Sequence, residues 1–425
     1  MTATARRPLY GLLAAYFVSG VGTAMSVVAI PWLVLVTTGS ATSTGIVGFA
    51  QMAPYVLLQA AAGPFVDRFG MRRTFLAGNT AAAAVMCAVP LLHSMGALSL
   101  PVLALLVALA GAVRGVADCA TTPLVPATAD SGGFTYERAA GLFSSANRAA
   151  MLAGMPLAGV LIVAIGSSQV VLLDGLSFAA AVLVLAVTVP RGTGQAAETA
   201  ASISTRDYGA QLAEGMRFLR ADRLLLGIVT MVAVTNLLDE AMTSVLLPVW
   251  AHDRAHRAEA LGLVGGAWGL GMLIGALGGA WYAHRLPRRS ALTIGLMLSG
   301  SPPFFLLAGS TSLALLLPLF LVTGVLGGVL NPILGAVEME RVPARLQARV
   351  LGAVKASAWL GIPFGSLLGG VLSEQVGLGA ALIASGSLMF LATFAPVVFP
   401  SWRGLDRPVP ARAELDYDVA SPSRR

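Results

Sequence analysis

Apolar runs of about 18 residues or more recur along this chain, each long enough to cross roughly 30 Å of hydrocarbon as an α-helix. We place twelve of them, at 9–36, 45–66, 74–93, 98–121, 139–165, 168–190, 224–250, 260–283, 290–309, 312–336, 349–372 and 377–399. Only 11% of the residues are charged, against about 25% in a soluble domain. No ordinary water-soluble core accommodates that shortfall, so the expected fold is an all-α polytopic membrane protein. The net charge of +7 then says nothing about nucleic acid, because the arginines sit in short loops where they set orientation. Alternate connections carry them: Arg68, Arg72 and Arg73; Arg138; Arg191, Arg206, Arg217, Arg220 and Arg223; Arg285, Arg288 and Arg289; Arg341 and Arg345. With positive loops inside, both termini are expected to be cytoplasmic. The connection 251–259, with Arg254 and Arg257, is placed outside by parity.

The sequence also repeats itself. Gly45 to Gly78 returns without a gap 217 residues later as Gly262 to Gly295, with Val47/Val264, Gly48/Gly265, Arg68/Arg285 and Arg72/Arg289 identical. At the same offset Ala24, Met25, Val28 and Pro31 match Ala241, Met242, Val245 and Pro248. Spans 4 and 10 pair Gly111/Gly324, Gly115/Gly328 and Asp118/Asn331; spans 5 and 11 pair Gly154/Gly361, Pro156/Pro363 and Arg148/Lys355. Six spans repeated in the same order give two halves of like orientation, a parallel repeat about an axis along the membrane normal. The expected organisation is an N-terminal bundle (1–190), a cytoplasmic linker with an interfacial helix (191–223), a C-terminal bundle (224–400) and a disordered cytoplasmic tail (401–425). In the linker, Leu212, Met216 and Leu219 share one helical face, a pattern suited to lying on the membrane surface.

Several stretches resemble the major facilitator superfamily. The resemblance covers about residues 9–400 and rests on the six-plus-six spans, the long central loop and the loop after span 2. That loop reads Gly63-Pro64-Phe65-Val66-Asp67-Arg68-Phe69-Gly70-Met71-Arg72, close to the family's Gly-x-Leu-Ala-Asp-Arg-x-Gly-Arg-Lys. Met71 replaces the family's arginine, so Arg72 or Arg73 would have to pair with Asp67. The resemblance implies a gating latch of Gly63, Asp67, Arg68, Gly70 and Arg72 that docks on the N-terminus of span 11, helped by Asp130. The second copy, Ala280 to Arg289, has His284 and Pro287 in place of the Asp and second Gly, so only the first loop is expected to latch. Gly154-Met155-Pro156-Leu157-Ala158-Gly159 resembles a degraded exporter motif for helix packing, echoed by Gly361 and Pro363. Pro31-Trp32-Leu33-Val34-Leu35 and Asp174-Gly175-Leu176-Ser177-Phe178 look like the macrolide-efflux and siderophore-export branch.

Charges inside spans are the candidate transport residues, since a carboxylate at depth is costly unless protonated, paired or facing water. Asp239 and Glu240 lie in span 7, and being adjacent they point about 100° apart. Glu240 shares a stripe with Asn236 and Thr243, and its repeat partner is Thr23. Either carboxylate serves as proton acceptor or cation counter-charge, or the pair sits in the outer headgroup zone. Arg114 and Asp118 are i and i+4 on span 4 and can neutralise each other or line the cavity opposite Asn331. Arg148 and Lys355 either snorkel to the cytoplasmic face or hold an anionic group. Trp32, Trp250, Trp281 and Trp402 fall near span ends, as interfacial anchors do, while Trp268 and Trp359 lie deeper. The two cysteines, Cys87 and Cys119, fall in apolar helices as small core residues. The phosphate-binding pattern Gly-x-x-x-x-Gly-Lys-Ser/Thr is absent, which argues against an ATP-driven pump. The expectation is a monomeric secondary transporter in the bacterial plasma membrane. It would export a small amphipathic compound by proton antiport, without cofactor or metal, with import of a solute or ligand sensing as alternatives.

Overall fold

The computed structural model describes residues 3–193, 205–282, 288–343 and 346–405. Among the described residues eleven spans are single helices and one is a bent pair: Arg6–Thr38 (span 1), Ala41–Ala61 continued as Gly63–Phe69 (span 2), Met71–Ser94 (3), Leu100–Gly132 (4), Tyr136–Ile165 (5), Ser167–Thr188 (6), Arg223–Ala255 (7), Glu259–Gly279 (8), Arg288–Gly309 (9), Leu313–Arg341 (10), Arg349–Val376 (11) and Leu378–Val398 (12). Span 2 bends by 63° between its two pieces, at Ala62. Span 11 breaks at Leu360–Gly361, just before Pro363, whose ring removes one backbone donor. The protein is a twelve-helix, all-α membrane protein.

In lipid, helix association cannot rely on expelling water, so close backbone approach through small residues takes over. The repeat does this twice in the same way. Gly111 of span 4 rests on the Gln51 carbonyl and Gly115 on that of Tyr55, in span 2. In the second half Gly324 rests on the Trp268 carbonyl and Gly328 on that of Met272, positions equivalent to Gln51 and Tyr55 by the 217-residue offset. A side chain at any of these glycines would collide with the facing backbone.

Arginines at the loop-bearing end serve as clips. Arg72 donates from Nε to the Val189 carbonyl (2.9 Å) and from Nη2 to that of Ala186 (3.0 Å), at the end of span 6. Its repeat mate Arg289 donates to the Pro396 carbonyl (2.9 Å) at the end of span 12. The last carbonyls of a helix lack intrahelical donors and sit at the negative end of its dipole, so a guanidinium there satisfies both demands. Arg254 does the same at the opposite end, donating to the Ala308 carbonyl (2.7 Å) where span 9 stops. This gives the charges of 251–259 a structural role.

Three expectations about polar ends change. The linker helix, Thr205–Ala221, turns Leu219 toward the protein and not toward lipid. Leu219 is 1% exposed, among Leu225, Val229, Leu346 and Val350 of the neighbouring spans. Arg349 pairs with Glu214 at 2.5 Å and fastens the helix to span 11, and just past its end Arg341 of span 10 pairs at 3.2 Å with Asp222, the cap of span 7. Trp402 is not an interfacial anchor in a disordered tail. It is 1% exposed in a short turn, Pro400–Leu405, against Gly227, Leu224 and Leu292; residues 406–425 lie outside the described residues. Trp250 is fully buried and donates its indole N–H to the Ser310 carbonyl (3.2 Å), a core contact rather than a headgroup one. The Trp281 side chain lies outside the described residues.

Trp402→Ala should cost about 3–5 kcal/mol of packing and lower the midpoint of thermal unfolding in detergent, whereas Trp402→Phe should recover most of the loss. Equal midpoints for all three proteins would remove Trp402 from the core.

Candidate functional site

The second half encloses a cavity of ≈ 490 Å³. Its floor is span 7, where Thr235, Asn236, Asp239, Glu240 and Thr243 face inward. Both carboxylates reach it. Although they diverge around the helix, the space is wide enough to touch two sides of span 7. Asp239 is exposed and Glu240 half-buried, and both line this cavity. Ser244 donates its hydroxyl to Glu240 Oε1. Asn236 donates to the Ala358 carbonyl (2.9 Å), tying span 7 to the broken turn of span 11. Gly365 of span 11 lets the two backbones close beside Glu240.

Span 7 is locally underwound at Met242–Leu246 and Ala251–Ala255, with π-helical turns. Pro248 supplies the reason for the first: it has no N–H and its ring crowds the carbonyl of Ser244, four residues back. The wide turn begins directly after the carboxylate pair.

The remaining walls are apolar. Met155, Met231, Met242, Met272 and Met389 line them, with Trp268, Phe304 and Phe320. Unbranched thioether side chains re-pack around differently shaped guests, which suits a surface of broad specificity. Val27 and Val28 of span 1 and Met155 of span 5 come from the first half, so the cavity touches both.

A second polar cluster occupies the first half. Arg114 pairs with Asp118 (3.3 Å), and Asp118 also accepts from the Tyr55 hydroxyl (3.1 Å). The Arg114 guanidinium donates to Thr23, the repeat mate of Glu240, and lies 4.8 Å from the centre of the Phe178 ring. Sequence reasoning did not single out Asp174, which is 2% exposed and accepts from the Ser26 hydroxyl (2.6 Å). Its signal was present, as a carboxylate in mid-span 6, but it appeared only within a family-like phrase.

Other expected site residues scatter. Asp67 and Arg68 are exposed, Arg68 lying 5.6 Å from the Phe69 ring centre. Asp67 makes no hydrogen bond or ion pair among the described residues, and Arg72 is committed to the span 6 carbonyls instead of pairing with it. Asp130 accepts from the Tyr136 hydroxyl (3.2 Å) across its own turn. Gly63 and Gly70 flank the short helix, Gly70 with φ of 85°. Lys355 is exposed and lies 4.6 Å from the centre of the Trp359 ring; Arg148 is half-buried at the matching site. The Asn331 side chain and the second loop at His284, Arg285 and Pro287 lie outside the described residues.

The packing motif joins helices of both halves. Gly154 meets Val21 and Ala24 of span 1, whereas Pro156 meets Gly266 and Gly159 meets Gly262, both in span 8. Gly361 meets the Ala233 carbonyl, and Pro363 is buried two residues further on. Spans 2 and 11 cross the halves too, at Gly45 and Gly370. These cross-half glycine contacts lie at the end opposite the clipped arginines Arg72 and Arg289.

Comparison with known proteins decides the family. The model described as "Major Facilitator Superfamily" matches residues 12–254 and 229–416. The chain belongs to the major facilitator superfamily. It is 30% identical over 423 residues to the multidrug efflux pump Tap of Mycobacterium tuberculosis, covering 98% of each chain. It is likewise 30% identical to Tap of Mycolicibacterium fortuitum, over 96% of this chain and 99% of that one. Among solved structures, the nucleoside transporter NupG matches with a TM-score of 0.72 at 13% identity, over 92% of this chain and 98% of that one. A bacterial homologue of the human lysosomal transporter Spinster, in an inward-facing and unoccupied conformation, matches with a TM-score of 0.70 at 14% identity, over 97% and 100%. These two likenesses show the fold. Major facilitator proteins are transporters and not enzymes.

The Arg114–Asp118 pair makes its own prediction. Removing one partner of a buried pair costs about 3–5 kcal/mol, whereas an apolar replacement of both is close to neutral. Arg114→Met alone should therefore lower thermal stability more than Arg114→Met combined with Asp118→Leu. If the double variant is the less stable, the two charges do not compensate each other.

Proposed function

We propose that this major facilitator protein exports small amphipathic compounds, with a preference for those carrying positive charge, by alternating access and in exchange for protons. The observation that carries this reading is the cavity: two carboxylates, Asp239 and Glu240, on one wall of a Met- and Trp-lined space. The apolar walls suit a hydrophobic body, the carboxylates suit a cationic group or a proton, and one cannot be held fully while the other is. Such exclusion is what an antiporter requires. Kinship with multidrug efflux pumps over 98% of the chain supports export over uptake.

The orientation follows the arginines. Clipped at the ends of spans 6 and 12, they mark the cytoplasmic side of a bacterial plasma membrane, with both termini inside. The cross-half contacts at Gly45/Gly370 and Gly159/Gly262 then lie outside, and the arrangement is inward-facing. Bundles 1–190 and 224–400 rock about the cavity in a single monomer. The linker helix moves with the second, to which Glu214–Arg349 binds it. Asp67 is left free for its latching role in the opposite state, on the N-terminus of span 11, without help from Arg72. Arg114, Asp118, Arg148, Lys355 and Asn331 are secondary candidates for coupling.

Inverted vesicles supplied with a fluorescent lipophilic cation, ethidium, test the reading. A pH gradient should drive accumulation, and Glu240→Gln or Asp239→Asn should abolish the gradient-driven part while ethidium still binds the purified variant. Export unchanged in both variants would contradict the proton site, and gradient-driven depletion of the vesicles would mark an importer.

A further inference from the structure

We infer that Glu374 is the outer latch of the transport cycle, a positioning residue that holds span 2 to span 11 and must release it before the cavity can open outward. The inference rests on the alternating-access reading. It concerns a residue at the outer end of span 11, eight positions past Ser366 and four past Gly370, so that all three share one helical face.

Below the latch the two helices touch through backbone. A Cβ on Gly45 would lie 2.5 Å from the Ser366 carbonyl, and one on Gly370 would lie 2.6 Å from the Ala41 carbonyl. Neither side can carry a side chain, and Ser366 is fully buried at the crossing. Such a seam is held by dispersion and has little direction, so the helices could part or slide without a specific contact to hold them.

Glu374 supplies that contact. Its Oε2 accepts the Ser40 hydroxyl at 2.8 Å and the Thr42 amide at 2.8 Å. Ser40 is the N-cap of span 2 and in turn accepts from the Ser43 amide at 3.1 Å. One carboxylate from the second half thus satisfies the first turn of a helix in the first half, where orphan N–H groups and the positive dipole end favour an anion. Residues 40–44 carry no charge, so nothing on span 2 competes for it. Two other outer charges are engaged elsewhere: Arg254 holds the Ala308 carbonyl, and Asp253 contacts His252 at 2.6 Å. Glu374 is exposed, which keeps its contribution modest, as a contact broken in every cycle requires.

The latch is the counterpart of the loop after span 2. There Asp67, at the inner end of span 2, is proposed to grip the N-terminus of span 11. Here a carboxylate at the outer end of span 11 grips the N-terminus of span 2. The same two helices carry both latches at opposite ends, and in this structure Glu374 is engaged while Asp67 is free.

Outer-face thiol labelling tests the latch in whole cells. Ser366→Cys is introduced into a Cys87→Ser, Cys119→Ser protein, and a membrane-impermeant maleimide is added outside. Labelling should be slow, and Glu374→Ala should speed it about threefold or more, the scale of a partly exposed charge-assisted contact. Ser40→Ala should speed it less, and should add nothing once Glu374→Ala is present, because both remove one contact. Labelling of Glu374→Ala at the parent rate, or fully additive effects of the two changes, would overturn the latch. Ethidium efflux is followed in the same cells: normal efflux with unchanged labelling sinks the latch alone, whereas faster labelling in a chain that never exports sinks the export reading alone.

Discussion

Backbone contact through glycine governs this molecule. Water expulsion, which assembles soluble bundles, does not drive helix against helix in hydrocarbon. Contact must come from close approach, and the chain places glycines where approach is closest. Gly111, Gly115, Gly324 and Gly328 fuse spans 2 with 4 and 8 with 10 inside each half. Gly45, Gly159, Gly262 and Gly370 use the same means between halves. The difference lies in what accompanies them. Within the halves, arginine clips at Arg72 and Arg289 add fixed anchors. Between the halves, the seam adds the exposed contact of Glu374 with Ser40 and Thr42 and a small buried cluster of Leu35 with Val245 and Val249. A fold made this way has firm halves and a separable interface.

Charge is distributed to match. The first half pairs Arg114 with Asp118, with Tyr55 and Thr23 as further partners, and holds its other buried carboxylate, Asp174, on the Ser26 hydroxyl. The second half leaves two carboxylates facing a cavity with no basic residue among its described lining side chains. An internal repeat that began with equal halves has therefore become unequal at equivalent places, Thr23 in one and Glu240 in the other. The carboxylates of the first half are held by protein groups, and those on the cavity suit the binding of something positive.

The spans, the repeat and the arginine-bearing loops were legible in the sequence because hydrophobic runs of membrane length and a gapless self-match at an offset of 217 residues leave few alternatives. Residues near helix ends were not. Trp402 and Trp250 have the positions of interfacial anchors, yet chain reversal buries one and a carbonyl of the neighbouring loop captures the other. Arg72 has the spacing of a latch partner, but the unpaired carbonyls closing span 6 claim it. Leu219 has the periodicity of a surface helix and finds protein where lipid was expected. Asp174 and Glu374 passed as ordinary polar residues, since their partners, Ser26 and the start of span 2, are far away in sequence. Helix ends choose among partners that only tertiary structure brings near.

The central claim is that two firm halves rock about one cavity, closed outside when open inside. Spin labels at Ser99 and Ser312, which begin spans 4 and 10 at the outer end, and at Glu137 and Met339 at the inner end, measure it directly. On adding ethidium and a pH gradient to reconstituted protein, the outer distance should lengthen as the inner distance shortens. Two distances that stay fixed, or that change in the same direction, would contradict the account.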